Sequence, residues 1–310
     1  MVRKKQQGKK KMIKESKTDK LFMVFVYLFL SAALIAVLYP LIYIISASIS
    51  DPQLVNSGKM YLLPKGITFE GYQTILENTG IWRGYLNTIY YTVLGTSINL
   101  LVTLPCAYAL SRVDFYGRKL FMNFMLVTMF LSGGLIPSYL LIKNLGMFNT
   151  VWAMVIPNAA SVYNIVVTRT FFQSAIPREM EEAAIIDSCS NFKLFMRIIL
   201  PLSMPIVAVM ALFYGVGHWN SYFNALIYLS DKASYPLQMV LREILVLQDL
   251  SSTASGTVSS SVAELIYSKQ QLVQVIKYGV MLVSTLPVII AYPFLQKYFV
   301  KGVMVGSLKG

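Results

Sequence analysis

Few side chains in this 310-residue chain could carry chemistry, with one histidine, His218, and two cysteines, Cys106 and Cys189. A lone imidazole does not build a metal site, which takes three or four protein ligands, and metal-ligand spacing is absent elsewhere. His218 therefore reads as a packed, hydrogen-bonded residue rather than a proton relay. Cys106 falls within an apolar stretch and Cys189 in a polar connection, so no disulfide is expected. No nucleophile with an acid–base partner is visible, and neither a catalytic nor a metal-binding residue is assigned. Two constellations remain. One is an acidic cluster, Glu179, Glu181 and Glu182, running into Ala183 and Ala184. The other is a set of amides and aromatics embedded in apolar sequence: Asn87, Asn99, Asn158, Tyr163, Asn164, His218, Trp219, Asn220, Tyr222 and Asn224. Sugars favour aromatic faces and amide hydrogen bonds, which singles out Trp219, Asn220, Tyr222 and Asn158 as substrate-path candidates. The same residue types also serve as interhelical hydrogen bonds and as interfacial anchors.

The elements that must position these groups are apolar. The chain is 56% hydrophobic and 13% charged, with a mean hydropathy of +0.59. That is half the charge of an ordinary soluble domain, too little to cover a large buried core. Six windows of 19 residues or more contain no Asp, Glu, Lys or Arg: 21–50, 84–111, 120–142, 144–168, 198–230 and 278–296. Each is long enough for a helix to cross the hydrocarbon core, and a lipid-exposed backbone must close its own hydrogen bonds. The alternating polarity of barrel strands is absent. The windows predict an all-α integral membrane protein with six transmembrane helices. The apolar run of the first window exceeds a signal-peptide core of about 7–15 residues, and it reads as a retained anchor.

Lys and Arg set the orientation. With the N-terminus inside, nine basic residues precede Leu21. Arg112, Arg118 and Lys119 then lie in the second connection, Arg169, Arg178, Lys193 and Arg197 in the fourth, and Lys297, Lys301 and Lys309 in the tail. That makes 19 inside against eight outside, which puts both termini in the cytoplasm. The net charge of +13 is then a topology signal, with the basic tail 1–20 also suited to anionic membrane lipid, and no nucleic-acid partner is expected. Eight of the twelve prolines lie in or beside spans, at 40, 105, 137, 157, 201, 205, 287 and 293. They suit bent helices in a pathway that opens and closes, or simple tolerance of proline in a bundle. No Asp or Glu falls inside a window, against a proton-driven transporter working alone. The outer connection 51–83 reads as compact. The other, 231–277, holds the low-complexity run 251–261, which is expected to be mobile.

The connection between the fourth and fifth windows, 175–200, is the most informative. Pro177 suits a helix's first position, and Glu179, Glu181 and Glu182 then meet the positive end of its dipole. Ala183 and Ala184 make one face small. The helix should stop near Asp187 and Ser188, with Ser190 capping the next one. A short surface helix of this kind suits docking into another protein's groove, or serves as an ordinary connector between spans.

This stretch resembles the signature of binding-protein-dependent ABC importer permeases: Glu-Ala-Ala, three residues, Gly, nine residues, Ile-x-Leu-Pro. Glu182, Ala183 and Ala184 match its opening, Asp187 the residue before the Gly, and Ile198, Leu200 and Pro201 its close. Ser188 stands at the Gly position. If that Gly serves a left-handed turn, Ser costs about 1 kcal/mol there, and the turn is expected to be built differently. Trp219-Asn220-x-Tyr222 and the tail 298–310 resemble the carbohydrate-uptake branch, and the layout resembles the smaller maltose-type permease partner. The resemblance implies the type I importer permease fold over 21–300, multi-pass in the plasma membrane of a prokaryote, with 301–310 a cytoplasmic tail. It also implies a second homologous permease subunit, two ATPase subunits that bind ATP and Mg, and an extracytoplasmic solute-binding protein that delivers a carbohydrate, an oligosaccharide above all. Glu182, Ala183, Ala184, Asp187, Ser188, Leu200 and Pro201 would couple the chain to the ATPase. The loop 231–277 would reach the binding protein. This chain holds no Gly-x-x-x-x-Gly-Lys-[Ser/Thr] and binds no cofactor itself. Alternatives are an ABC importer for a non-sugar solute, or a stand-alone secondary transporter.

Overall fold

A computed structural model describes residues 16–253, 273 and 276–293. Most of the basic tail 1–20, residues 254–261 of the low-complexity run and the tail 301–310 lie outside the described residues. Among the described residues the chain is helical and contains no strand. It divides into two units, 1–68 and 69–310.

In the first unit, helix α1 runs Lys17–Ser48. It starts in a capping box: Thr18 N donates to Ser16 Oγ, and Ser16 N to Asp19 Oδ2. Most of its apolar residues from Leu21 to Ile45 are exposed, with Val26, Tyr43 and Ile44 half-buried, as suits a lipid-facing span. The following turn is ordered, as the sequence suggests. Asp51 caps α2 (Pro52–Asn56) through Gln53 N, and Thr68 N donates to Ile49 O.

In the second unit, α3 (Glu70–Glu77) leads into α4 (Thr79–Ser111), a continuous helix despite Pro105. The next window breaks into α5 (Arg118–Phe130) and α6 (Leu135–Asn144), bent by 112°. Gly133 and Gly134 make the break, Gly134 at φ +84°, where a side chain would be strained. The fourth window is α7 (Val151–Val155) and α8 (Val162–Ala175) around an irregular stretch in which Pro157 has no N–H to extend the helix. After α9 (Arg178–Ile186) and α10 (Asn191–Leu194), a π turn (Phe195–Ile199) leads to α11 (Leu200–Leu202) and α12 (Met204–Trp219), bent by 81° at Ser203 between Pro201 and Pro205. Then come α13 (Phe223–Tyr228), α14 (Leu237–Thr253) and α15 (Ile276–Pro293). The windows predicted as helices take three forms: one and two are continuous helices, as is six over its described residues 278–293, three and five are bent pairs, and four is interrupted. The first residues of the low-complexity run, 251–253, are the last turn of α14.

Helix α4 is the central post, with α12, α8, α14 and α7 packed along it. Its approach to α12 is closest at Gly95, where a methyl group would overlap the His218 ring. One apolar cluster joins Leu104, Tyr108 and Leu110 of α4 to Ile165 and Phe172 of α8, Ala184 of α9, and Phe195 and Ile199. Cys106 and Cys189 rest on it as free thiols.

Helix α9 ends in a Schellman turn. Cys189 N donates to Ala184 O and Ser188 N to Ile185 O, both at 2.9 Å, with Ser188 left-handed at φ +55°. The expectation that serine changes this turn is corrected. The two hydrogen bonds and the burial of Ala184 outweigh the steric cost, so serine adopts the conformation glycine favours. Ser190 caps α10 as expected, accepting from Lys193 N at 3.4 Å.

Two outcomes follow. Ser188→Gly should raise stability by about 1 kcal/mol, read as a higher melting temperature in detergent; an unchanged or lower value would contradict the strained turn. Gly95→Ala should cost about 1–3 kcal/mol by overpacking. Gly217→Ala, where a new Cβ meets nothing within 4 Å, should cost nothing in the same assay.

Candidate functional site

The acidic segment forms as a helix because Pro177 ends the preceding chain in an extended conformation (φ −64°, ψ 137°), placing Arg178 first in the helix. Pro177 is thus the N-cap residue, one position earlier than its composition suggests. The helix is two-sided. Ala184 is buried in the cluster against α4, so the two alanines do not share an exposed face. Glu182, Ala183 and Asp187 point outward together with Ile185 and Ile186, the latter 82% exposed. Leu200 packs on the apolar cluster and Pro201 lies exposed at the bend below α12, both away from α9's outer face.

Glu181 faces inward to Arg112, the residue that closes α4, with Oε2 3.5 Å from Nη1. Arg112 also donates to both oxygens of Asp114, at 2.8 and 2.7 Å, and to Tyr108 Oη at 3.2 Å. The guanidinium holds the Asp114 carboxyl below the usual carboxylate range, and Asp114 in turn strengthens Arg112 as a cation. Further donors collect at the same end of α4, whose last carbonyls lack helical partners and carry the dipole's negative end. Arg169 Nε donates to Leu110 O at 3.0 Å, Arg118 Nη1 to Arg112 O at 3.1 Å, and Gln173 Nε2 to Ser111 O at 3.4 Å. A cleft of about 520 Å³ lies here between the α4 end and α9. Sequence reasoning missed this knot. Its signal was the Arg-x-Asp turn at 112–114 directly after a charge-free window.

Deeper in the helices lies a cavity of about 400 Å³ lined by Asn158, Ser161, Asn164, Tyr214, His218, Ser221 and Asn224. It is built around the break in the fourth window. Asn99 of α4 is fully buried, and its Nδ2 donates to the carbonyls of Asn158 and Ala159, at 2.5 and 3.0 Å. Those bonds supply the partners that non-helical backbone lacks in lipid. They also fix the amide's orientation, so Asn99 Oδ1 is left to accept from His218 Nε2 at 2.7 Å, and the imidazole proton sits on Nε2. Thr103 Oγ1 and Tyr214 Oη pair at 2.7 Å one turn further on. The Ser221 hydroxyl on the cavity wall is buried with no protein partner. Amides and hydroxyls share the wall with Ala160, Phe213 and Gly217, and among the described residues no Lys, Arg, Asp or Glu is part of it.

Of the four substrate-path candidates, the structure brings only Asn158 to this cavity. Trp219 turns away: it is buried, donates from Nε1 to Ser284 O at 3.0 Å, and meets Tyr85 edge-on at 5.7 Å, tying α12 to α15. Asn220 closes α12 by donating to Val216 O. Tyr222 is exposed beside Phe223. Asn87 is likewise structural, donating to the carbonyls of Ala233 and Tyr235, while Tyr91 donates to Ser234 O and Leu237 N to Thr88 Oγ1. The segment 233–237 is thereby fastened to the opposite end of α4.

No protein-family model matches the chain. It is 39% identical over 295 residues to Protein LplC of Bacillus subtilis (strain 168), covering 95% of this chain and 97% of that one. It is 36% identical over 297 residues to the polygalacturonan/rhamnogalacturonan transport system permease protein YtcP of the same organism, covering 94% and 99%. An arabinooligosaccharides transport system permease protein, AraQ of Halalkalibacterium halodurans, is 26% identical over 287 residues, with 90% and 93% covered. Among solved structures, a chain in the crystal structure of a bacterial ABC transporter involved in the import of the acidic polysaccharide alginate matches with a TM-score of 0.82. It is 32% identical, with 93% of this chain and 100% of that one covered. The interrupted helices around a polar cavity and the Schellman-ended helix after Pro177 thus lie in a chain that belongs to the permease subunits of carbohydrate ABC transport systems.

Proposed function

We propose that this chain forms one half of the pathway of a plasma-membrane importer, crossing the bilayer six times with both termini in the cytoplasm. Its partners are a second permease subunit, two ATPase subunits that bind ATP and Mg, and an extracytoplasmic binding protein that delivers the sugar. The chain itself binds no nucleotide and catalyses no reaction. The cargo is an acidic oligosaccharide. What supports this is the level of likeness to the polygalacturonan/rhamnogalacturonan permease and the alginate importer, 36% and 32%. The arabinooligosaccharides permease stands at 26%.

The observation that carries the transport reading is the neutral polar cavity beside Asn99. A hydrated sugar crossing the bilayer must exchange water for hydrogen bonds, and an apolar wall would strand its hydroxyls. Asn158, Asn164, Asn224 and the unpartnered Ser221 hydroxyl supply donors and acceptors around one cavity. With no charge among the described residues of the wall, no single subsite there holds the cargo too tightly to leave. The carboxylates of an acidic sugar are then met by the binding protein and the partner permease rather than by this wall.

Energy enters at α9. Glu182 and Ala183 dock in the ATPase cleft beside the exposed Ile185 and Ile186. Ala184 anchors the helix to α4. Asp187 and Ser188 shape the turn that sets its angle, and Leu200 and Pro201 carry the motion to the bend below α12.

In the reconstituted complex, Glu182→Lys should leave the chain inserted and abolish ATP-driven import, because it puts a cation at the acidic docking face. Coupled ATPase activity that survives would contradict the docking assignment. Asn158→Leu keeps the backbone carbonyl that Asn99 holds but removes the side-chain amide. It should slow import about tenfold, the loss of one hydrogen bond, whereas Trp219→Phe should lower the melting temperature more than it slows import of what folds. Oligogalacturonates should compete for import better than arabino-oligosaccharides; the reverse order would reject the acidic cargo.

A further inference from the structure

The guanidinium of Arg112 is 10% exposed, and its contacts are unequal. Two short bonds to Asp114 lock it to its own turn in bidentate geometry, and Tyr108 takes a third. Glu181, on α9, is reached by a single contact of 3.5 Å from Nη1, through a carboxylate 23% exposed. A small tilt of α9 lengthens or shortens that contact while the Asp114 pair stays intact. The chain continues from α9 into α10–α12 and back into α8 through Pro177, but it reaches α4 only across space. Among the described residues, Ala184 in the apolar cluster and Glu181 on Arg112 do so. Apolar packing is non-directional and tolerates sliding. A partly buried charge pair varies steeply with distance.

Helix α4 is in turn held rigidly along its length. Thr103 bonds Tyr214, Asn99 bonds His218 and the carbonyls at the cavity, and Asn87, Thr88 and Tyr91 hold the 233–237 segment. We infer that Arg112 and Glu181 form a polar latch that passes the position of α9 to α4, and through Asn99 to the cavity wall. Both are positioning residues for transport, distinct from the outward-facing Glu182. The latch rests on the reading of α9 as the ATPase-docking helix.

The test uses the full complex in vesicles, with partner permease, ATPase subunits and sugar-loaded binding protein, and reads solute imported per ATP hydrolysed. Wild type, Arg112→Gln, Glu181→Gln and the double variant are compared at equal membrane abundance. Glu181→Gln should lower the ratio about tenfold while ATP hydrolysis continues, and the double variant should be no worse than the more affected single one. A ratio unchanged in Glu181→Gln, or losses that multiply in the double variant, would overturn the latch. Should Arg112→Gln not accumulate in membranes, Arg112→Lys, which keeps the charge but loses the fork, replaces it in the same comparison. Wild-type import that needs no ATP would instead overturn the docking reading, and the latch with it.

Discussion

Backbone groups at membrane depth have no water to bond, so every departure from helix must be repaired by a side chain or a neighbouring helix. In this permease the repair rests on Asn99. Its amide holds two carbonyls of the interrupted fourth window with one end and His218 with the other. Because the break is satisfied, the chain can leave an irregular, polar-walled space where a continuous helix would have filled it. The cavity and the stability of the bundle therefore depend on the same buried residue. Gly95 belongs to this arrangement, since only a residue without a Cβ lets the His218 ring approach α4 closely enough to reach Asn99.

Helix α4 carries polar contacts at both ends and along its middle. One end carries Arg112, knotted to Asp114, Tyr108 and Glu181, with Arg118, Arg169 and Gln173 closing its last carbonyls. The other end holds the 233–237 segment through Asn87, Thr88 and Tyr91. Between them lie Asn99 and Thr103. The helices around this post are mostly broken by proline and glycine, at Gly133 and Gly134, Pro157, and Pro201 to Pro205. An intact post among bent neighbours gives a body that can change the angle of its walls without losing its internal hydrogen bonds.

Helix α9 shows how a departure from a family pattern can be absorbed. Serine replaces glycine at a left-handed position, yet both Schellman bonds form and the helix ends where its neighbours need it to. The cost is confined to one residue, while the gain is the burial of Ala184 and the inward aim of Glu181. Two adjacent glutamates then take opposite parts. The helical rotation of 100° per residue separates them, so Glu181 meets Arg112 while Glu182 faces outward.

Much of this was legible in the residue order, because it depends on local composition. Charge-free windows announce apolar helices whatever their packing, Ser190 caps as its type prefers, and the Glu-Ala-Ala spacing marks α9 and the family. Where those windows break was written only as prolines and glycines, which are tolerated as often as they bend a helix; neighbours decided which ones did. Trp219 and Asn158 looked alike as polar or aromatic residues in apolar sequence. Which of them would face the cavity depended on contacts with Ser284 and Asn99, far away along the chain. The Arg112–Glu181 contact spans 69 residues and the Asn99–His218 contact 119. Such pairings carry no periodic signal, so tertiary packing alone decided them. The chain order determined that these helices form and lie in lipid; the three-dimensional arrangement decided which polar groups repair one another and which remain free for a ligand.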